Sequence, residues 1–160
     1  MSRFQMFARI LMALLFVSMI SLPASAGVFD SFAGTWRGTG KVFLKDGRRE
    51  SMSCKIKSII EVNGSRAYHI VKCKSDSKKI KVRINLIANN LNISGNWSAS
   101  GSVEGEVWGI AKGKALNLQL GGHGITASLK LTANKCTQKM SLNGEIGKVR
   151  KITVQLKKSC

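Results

Sequence analysis

The stretch Ser51 to Lys74, SMSCKIKSIIEVNGSRAYHIVKCK, decides the fold, because two alternating segments flank an Asn-Gly pair. Asn63-Gly64 is the dipeptide that a two-residue type I′ hairpin turn prefers, since both central residues of that turn need a positive φ. With the turn there, Cys54 lies directly opposite Cys73. We expect a hydrogen-bonded pair whose Cα atoms lie about 5.5 Å apart, a spacing that a disulfide accepts. The stretch therefore predicts an antiparallel hairpin closed by a Cys54–Cys73 disulfide.

The same alternation continues on both sides of this hairpin and predicts an all-β domain. Clusters of Gly, Asn, Asp and Ser separate the segments, and no segment keeps a helical period for three turns. The only proline, Pro23, precedes them all, so every segment can join a hydrogen-bonded ladder. The ten predicted strands are 35–44, 51–62, 65–74, 79–88, 91–99, 103–111, 115–120, 125–133, 136–142 and 149–157.

Ten strands joined by tight turns predict an antiparallel meander. Such a sheet usually removes its exposed edges by closing into a β-barrel or by curling strongly. Residues 28–32, Val-Phe-Asp-Ser-Phe, are expected to form one short helical turn that covers an open end with its two phenylalanines. The last hairpin is expected around Asn143-Gly144.

Residues 1–26 are typical of a cleavable signal peptide. Two arginines precede an apolar run at 10–22, and Pro-Ala-Ser-Ala at 23–26 ends it with a small-x-small site. The run is shorter than the roughly 20 residues that a membrane-spanning helix needs. We therefore predict cleavage after Ala26 and a periplasmic or secreted protein with a single basic domain at 27–160.

All four cysteines follow the predicted cleavage site, which favours disulfides in an exported domain. Once Cys54 and Cys73 pair, Cys136 and Cys160 are left to each other. The predicted last hairpin does not place Cys136 and Cys160 opposite one another, so an intermolecular disulfide through Cys160 stays an alternative.

A strongly positive charge is the second feature of the composition. The chain carries a net charge of +18, which falls to +16 when the two arginines of the signal peptide are removed. Charge of this sign attracts nucleic acid, acidic polysaccharide or phosphorylated lipid head groups. A genomic bias toward lysine, with the charge merely solvated, is the alternative interpretation.

The alternation concentrates part of this charge on one surface. If Cys54 and Cys73 face the core, their cationic neighbours on three consecutive strands face solvent. The predicted anion-binding patch consists of Lys55, Lys57, Lys72, Lys74, Lys79, Lys81 and Arg83. We expect its partner to be anionic lipid, lipopolysaccharide or peptidoglycan of the cell envelope. Nucleic acid fits less well, because single-strand binders place aromatic side chains among their cations, and this patch offers only Tyr68.

Three tryptophans lie in glycine-containing segments. Trp36 and Trp97 share the inward phase of their strands, whereas Trp108 points outward. Packing against the barrel ends explains inward tryptophans, because aromatic side chains dominate cores. A cavity lined by Trp36 and Trp97 is the functional alternative.

The segment Phe32-Ala33-Gly34-Thr35-Trp36 resembles the Gly-x-Trp strand start of lipocalin and avidin-like (calycin) barrels. That resemblance implies a barrel with a short turn over one end and an interior that binds a small apolar ligand. Over 27–160, this segment, the two hairpin cysteines and the Ile-Ser-Gly-Asn-Trp run at 93–97 are similar to small exported alphaproteobacterial proteins of unknown function. This second resemblance implies a compartment and a fold but no activity. The chain departs from it in Cys136, Cys160 and a higher lysine content.

No catalytic constellation is predicted. His69 lies on the presumed core face of its strand, and His123 lies in the glycine-rich turn GGHG. A metal centre is not expected either, because the cysteines form no Cys-x-x-Cys pair and these histidines alone are available to complete a site. The sequence therefore predicts a non-enzymatic binding protein without a cofactor, which contacts an anionic envelope component through its lysine-rich face. Binding of a small apolar ligand inside the barrel, or a protein-interaction role, is the alternative.

Overall fold

The computed structural model describes residues 26–160, so the predicted signal peptide lies outside the described residues except for Ala26. A 3-10 turn, Asp30–Phe32, precedes ten strands. The strands are β1 (Gly34–Leu44), β2 (Arg49–Glu61), β3 (Arg66–Ser75), β4 (Lys79–Asn89), β5 (Asn92–Ala99), β6 (Val103–Lys112), β7 (Ala115–Gly122), β8 (Ile125–Asn134), β9 (Thr137–Ile146) and β10 (Val149–Lys157). Consecutive strands pair antiparallel, and β1 pairs with β10 to close a barrel. The predicted all-β meander is confirmed as a closed barrel.

The hairpin of β2 and β3 has the predicted register. Asn63 and Gly64 adopt φ values of 52° and 77°, as a type I′ turn requires. Val62 also has a φ of 52°, and the last strand pair is Glu61–Arg66, so the loop has four residues where the sequence predicted two. Cys54 pairs with Cys73 across the strands, and the two form a disulfide inside the barrel. Their Cα atoms lie 4.2 Å apart, which is closer than the roughly 5.5 Å expected of a hydrogen-bonded pair and nearer to the roughly 4.5 Å of a non-hydrogen-bonded pair.

The predicted last turn at Asn143-Gly144 is wrong. β9 continues to Ile146, and the turn to β10 contains Gly147, whose φ is 58°. Gly144 pairs with Ala127 of β8, where a Cβ atom would lie 2.3 Å from a backbone carbonyl oxygen. This glycine therefore permits a close approach of two strands rather than a turn.

One end of the barrel is closed by the segment before β1, as the sequence predicted, and we call it the plugged end. Phe29 and Phe32 are fully buried there. The Phe29 N–H donates to the carbonyl of Gly64 at 3.0 Å, which holds the segment on the β2–β3 turn. The indole N–H of Trp36 donates to the Phe32 carbonyl at 2.8 Å. The opposite end, where the turns β1–β2, β3–β4, β5–β6, β7–β8 and β9–β10 lie, is called the open end.

The second disulfide joins Cys136 of the β8–β9 turn to Cys160. It lies at the plugged end, because β10 ends beside the start of β1. The Lys158 backbone N–H donates to the Cys136 carbonyl at 3.0 Å, and the Lys158 ammonium donates to the Ala33 carbonyl at 2.8 Å. The C-terminal residues thus brace the plug within one chain, and all four cysteines are paired.

No helix within residues 26–160 is long and apolar enough to cross a bilayer.

Candidate functional site

The interior of the barrel is not filled evenly. Around the plug, the inward side chains form a continuous buried core with Phe29 and Phe32. Toward the open end lies a cavity of about 370 Å³, whose walls come from strands β4 to β10. Apolar side chains make most of this wall, among them Val82, Trp97, Val103, Leu120, Ile125 and Leu142. The volume lies at the lower end of the ~300–1,000 Å³ typical of small-molecule pockets.

Trp97 is a fixed part of the cavity wall. It is 3 % exposed, and its indole N–H donates to the Gly121 carbonyl of β7 at 3.1 Å. The opposite residue on β6 is Gly105, where a Cβ atom would lie 2.6 Å from the indole nitrogen. The glycine therefore makes room for the indole ring to cross β6 and reach β7.

The other two tryptophans lie elsewhere. Trp36 does not line the cavity: it is fully buried among inward side chains of β1, β2, β3 and β10, with the Lys158 ammonium 4.6 Å from its ring centroid. The predicted pairing of Trp36 and Trp97 in one cavity is therefore not what the structure shows, because the 3-10 turn folds back over the start of β1 and engages Trp36. Trp108 points outward, as predicted, and is 48 % exposed.

The predicted anion-binding patch lies on the outer face of β2, β3 and β4, and all seven side chains are exposed. Lys55 pairs with Lys72, and Lys72 pairs with Lys81. Lys57 and Arg83 lie in the adjacent row toward the plugged end and flank Ile70. The seven residues are therefore arranged in neighbouring rows across three strands.

Closure of the barrel extends this surface beyond the predicted residues. Arg37 of β1 pairs with Lys55, and Lys157 of β10 pairs with Arg37. Five exposed cations thus follow one another across five neighbouring strands, and we call Lys157, Arg37, Lys55, Lys72 and Lys81 the cation row. Neither of the two salt bridges found within residues 26–160 involves it. The alternation of β1 and β10 predicts that both added side chains point outward, but only the β1–β10 pairing places them in this row.

An open depression follows most of the cation row. Its walls include cationic side chains of β1 to β4, and small polar residues such as Thr39 and Ser53 line it as well. The cationic side chains that line it are Arg37, Lys55, Lys72, Lys74, Lys79 and Lys81. No carboxylate belongs to its lining, so an anion that enters meets positive charge without local neutralisation.

The depression and the interior cavity share a wall at the open end. Lys79, Ile80, Lys81 and Ser100 line both spaces. Ile80 pairs with Cys73 and therefore has the inward phase, yet it is 40 % exposed. The start of β4 thus carries an apolar, inward-phase side chain at the cavity mouth, and its two chain neighbours are exposed lysines of the outward phase.

A buried Ser–His pair is a feature that sequence reasoning missed. The Ser58 hydroxyl lies 2.7 Å from Nδ1 of His69, and these residues are directly opposite each other on β2 and β3. Nε2 of His69 is buried without a hydrogen-bond partner, and burial lowers the pKa of His69 to about 4. The hairpin register alone would have revealed this pair, because it places His69 opposite Ser58 as surely as Cys73 opposite Cys54.

The pair has the spacing of a nucleophile and its base, but its surroundings do not complete a catalytic site. Ser58 and His69 are 5 % and 4 % exposed, and neither lines the cavity. Within the described residues, no cluster of three His, Cys, Asp or Glu side chains is suited to a metal ion. His123 lies in the β7–β8 turn with a φ of 53°, away from His69.

No protein-family model matches the chain, and no curated protein matches it. Among solved structures, Rv2717c from M. tuberculosis is similar with a TM-score of 0.67 and 11 % identity, over 87 % of this chain and 99 % of that one. The S-type phycobiliprotein lyase CPES from Guillardia theta has a TM-score of 0.55 and 12 % identity, over 86 % of this chain and 96 % of its own. At these identities the likeness shows a shared barrel fold.

Proposed function

We propose that this chain is an exported binding protein that takes a small apolar molecule into its barrel through the open end. The observation that carries the proposal is the contrast between the two halves of the interior. At the plugged end Phe29 and Phe32 are fully buried in a continuous core, whereas toward the open end β4 to β10 surround a mostly apolar cavity of about 370 Å³. Cores are normally packed without such voids, and a large apolar pocket is the default place for a small ligand.

The first described residues are compatible with the predicted cleavage after Ala26. The Gly27 nitrogen donates to a carboxylate oxygen of Asp30 at 2.6 Å. Cleavage after Ala26 would turn this nitrogen into a charged amine and strengthen that hydrogen bond. A Cβ atom at position 27 would lie 2.3 Å from the Asn63 carbonyl oxygen, so glycine suits this position. The two disulfides are compatible with a periplasmic or secreted location, and intact-mass measurement of the exported protein tests the cleavage site.

The proposal is for binding without catalysis. The inaccessible Ser58–His69 pair supports this, since a nucleophile must reach its substrate. One structural neighbour is called a lyase, but a shared fold at such low identity does not transfer an activity.

Filling the cavity tests the proposal. The neutral fluorophore N-phenyl-1-naphthylamine should bind the wild-type protein saturably, and Ala99→Phe should weaken that binding at least about tenfold, because Ala99 lines the cavity. Val103→Phe serves as a second filling variant if Ala99→Phe does not fold. Ser94→Phe, on the exposed face of the same strand β5, is the matched control and should bind like wild type. Equal binding by all folded variants would refute an interior site.

A second candidate function is contact with an anionic component of the cell envelope, which the cation row favours. Like charges directly opposite one another destabilise a sheet by roughly 0.2–1 kcal/mol per pair, and Lys55–Lys72 and Lys72–Lys81 are such pairs. An anion laid over the row would relieve this repulsion. Anionic lipid, lipopolysaccharide and peptidoglycan are the envelope components that carry suitable groups.

This second candidate has a separate test that leaves the cavity mouth intact. The triple variant Arg37→Gln, Lys55→Gln, Lys72→Gln should lose most of its binding to vesicles containing phosphatidylglycerol, and the wild-type binding should weaken steeply with salt. Its matched control replaces three exposed lysines at the plugged end, Lys112, Lys114 and Lys135, with Gln. An equal loss of vesicle binding in both variants would mean that the binding depends on the net charge of the protein and not on the cation row. Lipopolysaccharide and peptidoglycan are then compared in the same way.

A further inference from the structure

We infer that the ligand of the cavity is an amphiphile whose apolar body lies inside the barrel and whose single anionic head group is held by Lys79 and Lys81 at the mouth. This inference rests on the proposed function and names the ligand class. Its basis is the shared wall at the start of β4, where the apolar cavity and the cationic depression meet.

The head-group position follows from the charges around the mouth. Lys79 and Lys81 are exposed, line the cavity and the depression together, and flank the inward-phase Ile80. Lys79 pairs with Lys74, and Lys81 pairs with Lys72, so two further ammonium groups stand behind them on β3. A head group that leaves the cavity over Ile80 therefore enters a field of four lysines.

The cavity itself cannot satisfy a charged group. Its inward lining is apolar apart from the rim, and the one inward polar group that we identify there, the Trp97 indole N–H, already donates to Gly121. Burying a carboxylate or phosphate inside would cost its hydration without a compensating hydrogen bond. The charge must therefore stay at the mouth while the apolar body enters.

The head group is expected to carry negative charge, because no carboxylates line the cavity or the depression. Neither the cavity nor the depression has an Asp or Glu in its lining. A cationic head group would face Lys79 and Lys81 without a counter-charge and would be repelled. The two ammonium groups attract carboxylates and phosphates alike, so the shared chemistry is a monoanionic or dianionic oxygen head group.

Four decyl compounds that differ only in their head groups test this inference by isothermal titration calorimetry, each below its micelle-forming concentration. They are decanol, decanoate, decyl phosphate and decyltrimethylammonium. Wild type should bind decanoate and decyl phosphate about tenfold more tightly than decanol, as expected of two partly exposed ion pairs. Decyltrimethylammonium should bind more weakly than decanol. Whichever of decanoate and decyl phosphate binds more tightly then shows whether the head group of the ligand is a carboxylate or a phosphate.

The rim variant Lys79→Gln, Lys81→Gln should lose the roughly tenfold preference for anions and keep decanol affinity within about twofold. The control Lys112→Gln, Lys114→Gln removes the same charge from the plugged end and should keep the preference. If the control variant loses as much of its preference for anions as the rim variant does, the preference comes from the net charge of the protein, and the inference is overturned. Decanol binding with no preference for anions would also overturn it, while the interior site stands. Failure of every decyl compound to bind would overturn both the inference and the proposed function.

Discussion

The buried histidine makes the stability of this barrel sensitive to mild acid. Burial alone lowers the pKa of His69 to about 4 from the ordinary value of 6.5, and no charged neighbour contributes. Between pH 6.5 and pH 4, His69 therefore stays mostly neutral in the folded state, whereas it is mostly protonated in the unfolded state. The free energy of unfolding has its full value with respect to His69 above pH 6.5, and it decreases as the pH falls from 6.5 toward 4.

The size of this loss follows from the two pKa values. At pH 4.5 the unfolded histidine is almost fully protonated and the folded one mostly neutral, which corresponds to about 2.5 kcal/mol of unfolding free energy. Between pH 6 and pH 5 the free energy of unfolding should fall by roughly 1 kcal/mol from His69 alone. The loss of about 2.5 kcal/mol at pH 4.5 is a large share of the ~5–15 kcal/mol by which a domain of this kind is stable.

Urea unfolding at a series of pH values between 7.5 and 4.5, with the disulfides intact, measures this effect. His69→Gln removes the titrating group and keeps a polar side chain for the Ser58 hydroxyl, so it isolates the contribution of His69 from those of the carboxylates. The difference between wild type and His69→Gln should shrink as the pH falls, by about 2.5 kcal/mol over this range. Parallel pH profiles for wild type and His69→Gln would refute the reasoning.

Three further predictions concern the frame of the barrel. Replacing Cys54 and Cys73 together with Ala should lower the free energy of unfolding by about 3 kcal/mol in urea denaturation, because the unfolded chain regains the entropy of an open loop; an unchanged midpoint would contradict this. Gly38→Ala should destabilise the barrel by at least ~1–3 kcal/mol, since its Cβ would lie 1.8 Å from the Gln155 carbonyl oxygen, and a thermal midpoint equal to wild type would be the opposing result. Phe32→Ala should cost about 3–5 kcal/mol in urea unfolding, because it empties a fully buried site under the plug; a cost below 1 kcal/mol would mean that the plug does not stabilise the barrel.

Local patterns determined the strands and one disulfide. A hairpin register depends on a turn and its flanking residues, so Asn63-Gly64 was enough to place Cys54 opposite Cys73. Period-2 alternation then separated inward from outward side chains, and it correctly placed Trp97 inside and Trp108 outside. The Asn-Gly turn signal failed at Asn143-Gly144, because a glycine in a strand and a glycine in a turn look alike until the neighbouring strand is known.

Only the tertiary structure decided the closure of the barrel and what the closure creates. The pairing of β1 with β10 joins segments from opposite ends of the chain, and no turn residue specifies such a contact. That pairing adds Arg37 and Lys157 to the cation row. The cavity is equally a property of the closed barrel, since it is the space that side chains from seven strands leave unfilled. Alternation shows that Trp36 and Trp97 face inward, but their heights along the barrel depend on how all ten strands are staggered.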